Sequence, residues 1–243
     1  LIDLLDPLTV MTRMFEAEKF EDLIVFCKKL LDKDPDDLLA LQNICVAFLQ
    51  IREYEESLAH ADIILAKCPT DEHALRNKIL SLEGMRQFGR VIESADVLLS
   101  VNPRDVWALN TKGLALNELD RHRSALEFYD RAVQLDPKNV TALLNQANTL
   151  GLLGEFARAA QTYDLVQQID ASIKGVSEAK SEMFSRIGKE DESFLAAQGV
   201  LIERMEKFKE DAKANKCSVF HQFCCEEFDS IERSKKGGRR QGT

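Results

Sequence analysis

The apolar positions of this chain recur at a fixed interval. Leu41, Leu75, Leu109 and Leu143 stand 34 residues apart, as do Met14, Phe48, Leu82, Leu116, Leu150 and Phe184. A third series at the same interval is Phe20, Tyr54, Phe88, His122 and Phe156. Ala125, Tyr129 and Ala132, then Ala159, Tyr163 and Val166, form a stripe at spacings of four and three, the period of a helix with one buried face. Each interval therefore predicts a pair of helices, with these three series on buried faces.

Proline supplies the punctuation. Pro35, Pro69, Pro103 and Pro137 share the 34-residue interval. Proline lacks an N–H and clashes with the preceding turn, so each one stops a second helix and lets the chain enter the next pair. With proline at position 32, the units are 4–37, 38–71, 72–105, 106–139 and 140–173, with a degenerate sixth at 174–207. One pair cannot bury its own apolar face, so the units are expected to stack in series. Asp6 followed by Pro7 reads as a cap and first turn, which starts the first helix there. In the sixth unit Ala171 replaces the preceding proline, and polar Ser177 and Glu190 stand at apolar stations, as in a terminal unit facing water. Residues 208–233 read as one more helix capping the stack, and 234–243 as a basic, solvated tail.

The fourth unit, VWALNTKGLALNELDRHRSALEFYDRAVQLDPKN, places Leu109 at position 4, Gly113 at 8, Ala125 at 20, Tyr129 at 24, Ala132 at 27 and Pro137 at 32. This combination of period, residue class and proline stop resembles the tetratricopeptide repeat family, over residues 4–207 and most closely over 106–173. The resemblance implies an all-α, right-handed superhelical solenoid of helix-turn-helix units that turn near position 15. It also implies a protein-interaction scaffold that holds a short segment of a partner in a concave groove. The third unit departs from the pattern with Ile79 at 8, Val91 at 20 and Ala95 at 24, and with Gly84 and Gly89 near its inner turn. Its helix pair is expected to be wider or differently tilted.

In the family, positions 2, 5, 6, 9, 12 and 13 line the groove, and an asparagine at 6 often holds the ligand backbone. Position 6 here is Asn43, Asn77, Thr111 and Asn145. A carboxamide offers both a donor and an acceptor to an extended peptide, although such a residue can equally stay solvated. Trp107, the single tryptophan, is at position 2 of the fourth unit. The family's geometry puts it among Arg76, Leu80, Asn110, Leu114, Leu144 and Asn148, the composition of a binding hot spot. The alternative is that it packs over the loop after Pro103. Glu178 and Glu182, followed by Arg186, make the far end of the groove acidic, favouring a basic residue on the ligand. No three successive units supply the lysines and asparagines of the family's chaperone-tail clamp, so acidic chaperone tails are not expected as ligands.

Charge and composition narrow the partners. The formal net charge of −9, with 32 Lys plus Arg against 41 Asp plus Glu, argues against nucleic acid. No apolar run approaches the roughly 20 residues of a membrane helix, and the N-terminus lacks the order of a signal peptide, which points to the cytoplasm. The chain opens on Leu1, which leaves room for residues upstream. The six cysteines show no framework spacing, so reduced thiols are expected. The segment CSVFHQFCC holds Cys217, His221, Cys224 and Cys225. On one continuous helix the first three would share a face, at about 100° per residue. No second cluster completes four zinc ligands, so packing on the buried side of the capping helix is preferred to a metal or redox role. His60, His73 and His122 lie in different units without partners for catalysis, and no glycine-rich phosphate loop is present. Neither an enzyme nor a cofactor is expected; self-association remains a rival mode of action.

Overall fold

The computed structural model describes residues 6–224, 226 and 227; Leu1 to Leu5, Cys225 and the tail residues 228–243 lie outside the described residues. Among the described residues all regular structure is helical. The chain divides into two compact units, Leu1–Leu135 and Asp136–Thr243.

The first unit holds α1 (Pro7–Glu16), α2 (Phe20–Leu31), α3 (Leu38–Gln50), α4 (Tyr54–Lys67), α5 (Glu72–Gly84), α6 (Phe88–Val101), α7 (Val106–Glu118) and α8 (His122–Leu135). The second holds α9 (Val140–Leu152), α10 (Phe156–Ile169), α11 (Val176–Arg186), α12 (Glu190–Ala197) and α13 (Ile202–Ala214). First helices start at Leu38, Glu72, Val106 and Val140, so the 34-residue interval of the sequence is also that of the elements.

Local chemistry sets both ends of these helices. Asp37, Asp71, Asp105 and Asn139 follow the prolines by two residues and cap α3, α5, α7 and α9. Each accepts the N–H three residues on, at 2.8–3.0 Å, satisfying a donor that the first turn leaves unpaired. Asp6 does the same for α1, accepting from Thr9 N at 3.1 Å. At the other end, the residue at position 15 is left-handed in all six pairs: Glu18 (φ 54°), Arg52 (64°), Arg86 (56°), Asp120 (56°), Gly154 (78°) and Gly188 (72°). The next residue's N–H then reaches back to close the turn, as in Glu53 N to Phe48 O at 2.9 Å.

Position 4 is buried at Leu41, Leu75, Leu109 and Leu143, and position 11 from Phe48 to Phe184. The aromatic series at position 17 differs from expectation: Phe20, Tyr54, Phe88, His122 and Phe156 are half-buried. Those side chains open the second helix and cover the corner, where one edge stays wet. Positions 8 and 24 face each other within a pair and exchange volume. A methyl group added at Gly113 would lie 2.6 Å from the Tyr129 ring. In the third pair the large residue is Ile79 and the small one Ala95, both fully buried in one cluster. In the first, Met11 Sδ meets Cys27 Sγ at 3.6 Å. The departure at Ile79 and Ala95 is thus a reciprocal swap of large and small residues between positions 8 and 24.

The C-terminal cap differs from the expected single helix over 208–233. α13 ends at Ala214, Lys216 takes a φ of 52°, and helical structure resumes at 219. Ser218 caps the new start, accepting His221 N at 3.2 Å. Phe194 of α12 meets Phe220 at 5.2 Å and Phe223 at 5.7 Å, and Phe223 lies 5.8 Å from Phe208 of α13. This aromatic cluster closes the second unit.

Candidate binding surfaces

In the first unit the groove stations fall on α3, α5 and α7. Leu80 and Leu114, both at position 9, are 40 % and 39 % exposed, which is unusual for leucines flanked by buried neighbours. Trp107 is half-buried and packs against the core of Leu75, Ile79 and Ala108. The Arg76 guanidinium lies 4.6 Å from the centre of its ring and also ion-pairs with Asp105, the cap of α7. Trp107 is therefore covered in part by Arg76 and the core rather than standing free. The asparagines of position 6 are not equivalent. Asn77 is 8 % exposed, whereas half-buried Asn43 donates to Leu39 O at 2.8 Å. Asn110, at position 5, is half-buried and already engaged.

One carboxylate on this surface stands out. Glu83, at position 12 of its pair, is half-buried, and burial pushes its carboxyl up to about 7.

In the second unit, α9, α10 and α11 enclose a pocket of about 550 Å³. Phe156, Tyr163 and Met183 line its apolar side, and Gly151 leaves room for the Met183 sulfur, which a methyl group there would approach to 3.3 Å. Leu152 at the rim is 64 % exposed. Asn148 accepts the Tyr163 hydroxyl, and Glu182 pairs with Arg186 at 3.0 Å. Burial, then the Glu182 charge, raises the Tyr163 phenol above its ordinary value. Glu178 is exposed, and Asn145 is half-buried and engaged. Sequence reasoning named Asn148, Glu178 and Glu182 but missed Leu152. Its position, 13, was on the expected lining, and an apolar residue at a solvated station was the available signal.

A recurring ion pair was also missed. Lys78 meets Asp62 at 2.8 Å, Lys112 pairs with Asp96, and Lys180 meets Asp164 at 2.8 Å, each 16 residues apart and each joining a second helix to the first helix that follows. A carboxylate at position 25 and a lysine at position 7 of the next repeat was the legible signal.

The Cys/His segment is not a continuous face. Cys217 precedes the helix that starts at 219, so the helical spacing that grouped it with His221 and Cys224 does not apply. Cys217 is half-buried, 3.8 Å from Gln222 Oε1, whereas His221 and Cys224 are exposed; Val219 and Gln222 face inward instead. The expected burial of His221 and Cys224 is therefore corrected. Cys225 and Phe228 lie outside the described residues. Among the described residues no group of His, Cys, Asp and Glu converges as a metal site, and no helix is long and apolar enough to cross a membrane.

Paired helices with a small-for-large exchange at positions 8 and 24 and a capped, proline-stopped period define a helical repeat protein. Residues 108–139 and 128–161 each match a model of the tetratricopeptide repeat. Among solved structures it is similar to a tetratricopeptide repeat protein from Parabacteroides merdae ATCC 43184, at 16 % identity and a TM-score of 0.68, covering 79 % of this chain and 76 % of that one. MamA from Desulfovibrio magneticus RS-1 matches at 18 % identity and 0.65, covering 70 % and 96 %. YrrB, described as a tetratricopeptide repeat protein with an unusual peptide-binding site, matches at 15 % identity and 0.61, covering 71 % and 89 %. No curated protein matches the chain.

Proposed function

We propose that this chain is a non-enzymatic, cytoplasmic interaction module whose first-helix surfaces hold short segments of partner proteins, without cofactor, nucleic acid or membrane. The observation that carries this reading is the exposure of Leu80, Leu114 and Leu152 on first helices whose other leucines, such as Leu75, Leu109 and Leu143, are buried. Exposed leucines at recurrent stations, beside Trp107 in the first unit and Asn148 in the second, suit an apolar anchor with polar groups to orient it. The peptide-binding site described for YrrB gives the fold a precedent. At Glu178 and Glu182 a basic ligand residue is favoured, with Glu178 the freer of the two because Arg186 occupies Glu182.

The test is affinity capture followed by peptide mapping with wild type, Trp107→Ala and Leu152→Asp, each checked for an unchanged helical melting curve. Loss of about 2 kcal/mol of affinity is expected for a central tryptophan, and well under 1 kcal/mol for Glu178→Lys at low salt. Retention of the same peptides at wild-type affinity by both apolar-surface variants would remove the proposal.

A further inference from the structure

A second cleft in the first unit is lined by α4, α5 and α6 and includes none of the exposed leucines. Its volume is about 410 Å³, and Leu65, Pro69, Leu75 and Val97 form its apolar lining. Lys78 and Arg90 reach it from α5 and α6, with Glu93 and Ser94 beside them. Ser94 is 5 % exposed. Arg90 donates to Gln87 Oε1 at 2.7 Å and forms no ion pair among the described residues.

The same slot exists one repeat along. Leu65, Pro69, Leu75, Lys78 and Glu93 recur 34 residues later as Leu99, Pro103, Leu109, Lys112 and Glu127. Lys78 pairs with Asp62 just as Lys112 pairs with Asp96. The difference lies at position 23, where Ser94 is replaced by Phe128. That ring lies beside the slot's lysine, with Lys112 4.3 Å from its centre and Arg131 at 5.6 Å, and packs on Leu116, Ala125 and Tyr129. The cleft at Ser94 therefore repeats that arrangement without the aromatic ring: Lys78 stands where Lys112 does, Val97 where Arg131 does, and Arg90 brings the second cation from the station of Ser124. A cation over a ring face is attractive, and more so where water is excluded.

We propose that the cleft lined by α4, α5 and α6 is a binding site for an aromatic side chain presented by a partner protein, which takes the place that Phe128 occupies in the following repeat. The negative face of the ring complements Lys78 and Arg90, its edge lies on Leu65 and Val97, and Ser94 supplies the missing volume. This site is independent of the leucine surfaces, so it can stand or fall without them.

The probe is N-acetyl-phenylalanine methylamide, followed by amide chemical shifts of the full chain, with the N-acetyl-cyclohexylalanine analogue as a control of equal bulk and no π face. Saturable shifts confined to Lys78, Arg90, Ser94 and Val97, with an affinity on the order of 1 mM, are expected for a ligand of this size. The cyclohexyl analogue should bind several-fold more weakly, and Arg90→Ala should weaken the phenylalanine probe similarly. Ser94→Phe should abolish probe binding and raise the melting temperature, because it supplies the ring that the following repeat has at this station. Absence of shifts at these residues, equal binding of the cyclohexyl analogue, or undiminished binding by Ser94→Phe would overturn the proposal. If Ser94→Phe fails to fold, Arg90→Ala and the analogue decide it. An aromatic side chain supplied by a second copy, seen as a dimer that Ser94→Phe dissociates, would also overturn it in favour of self-association.

Discussion

The two units make the same corner with different residues. At position 15 the first unit places Glu18, Arg52, Arg86 and Asp120 in the left-handed region, whereas the second uses Gly154 and Gly188. The closing hydrogen bonds are alike: Arg86 N to Glu83 O and Gly154 N to Gly151 O measure 2.9 and 3.1 Å. The turn is thus imposed by the need to satisfy helix-end carbonyls and by the packing of the next helix, strongly enough to hold four non-glycine residues in a conformation that their Cβ atoms disfavour.

The ion pair between consecutive pairs shows a larger contrast. Lys78 and Lys112 are 24 % and 13 % exposed, and their carboxylate partners about half. Lys180 is fully buried, and its three protons meet Asp164 Oδ1 at 2.8 Å, Gln167 Oε1 at 2.5 Å and Val200 O at 2.8 Å. Asp164 Oδ1 also accepts Ile202 N at 2.9 Å, so one saturated network ties α10 and α11 to the start of α13. Burial lowers the Lys180 pKa, and Asp164 opposes that fall. A surface pair and a buried staple have come from the same two stations.

The contrast is most sharply broken by lysine truncation. Lys180→Met leaves Asp164 buried without a counter-charge and should cost about 3–5 kcal/mol in denaturant unfolding, against under about 1 kcal/mol for Lys78→Met. Equal costs would mean that the second unit does not depend on its staple. Next in size is the exchange between positions 8 and 24. Gly113→Leu drives a side chain into the Tyr129 ring and should cost roughly 1–3 kcal/mol or more, with partial recovery in a Tyr129→Ala background that copies the Ile79 and Ala95 arrangement. An additive double variant would show that the two positions do not share volume.

A pH-dependent difference follows at position 12, where the first unit has Glu83 and the second Gly151. The native carboxyl titrates at about 7 instead of 4.5, so between these values the folded state holds a proton that the unfolded state has released. Stability from this group therefore falls as pH rises from 4.5 through 7. Glu83→Gln should gain about 1–2 kcal/mol at pH 8, discounted for the solvent around a half-buried group, and the gain should vanish near pH 4. A melting difference that does not vary with pH would exclude titration of Glu83 as its source. The smallest effect is expected at the corners: Arg86→Gly relieves left-handed strain and should be neutral to about 1 kcal/mol stabilising, whereas Gly154→Arg should destabilise by a similar amount.

Much of the fold was legible because it rests on local rules. Prolines at position 32 and apolar residues at 4 and 11 placed the helix pairs at their observed interval, and Asp6 with Pro7 located the first helix. The cap failed where the rule depended on continuity. Residues 208–233 are polar enough to read as one amphipathic helix, yet Lys216 and Ser218 break it, and Cys217 leaves the face assigned to it. The candidate surface was read at the level of stations rather than side chains. Position 6 was treated as a ladder of equivalent asparagines, but Asn77 is nearly enclosed and Asn43 bonds its own helix, because neighbouring helices differ in how closely they cover it. Trp107 was expected beside Arg76 and Leu80, and the stacking of Arg76 on its ring, anchored by Asp105, was not read from the stations.

By itself, then, the sequence determined the period, the helix pairs, their stops and the residue classes that meet within a pair, since propensity, proline sterics and a 3.6-residue period act over a few residues. Only the tertiary structure decided which copy of a repeated residue is buried and which is wet. Lys78 and Lys180 occupy one station, yet one lysine is a surface ion pair and the other a buried staple. Burial is set by how many neighbouring helices converge on a point and by the volume of side chains more than a dozen residues away, and no local pattern carries that information.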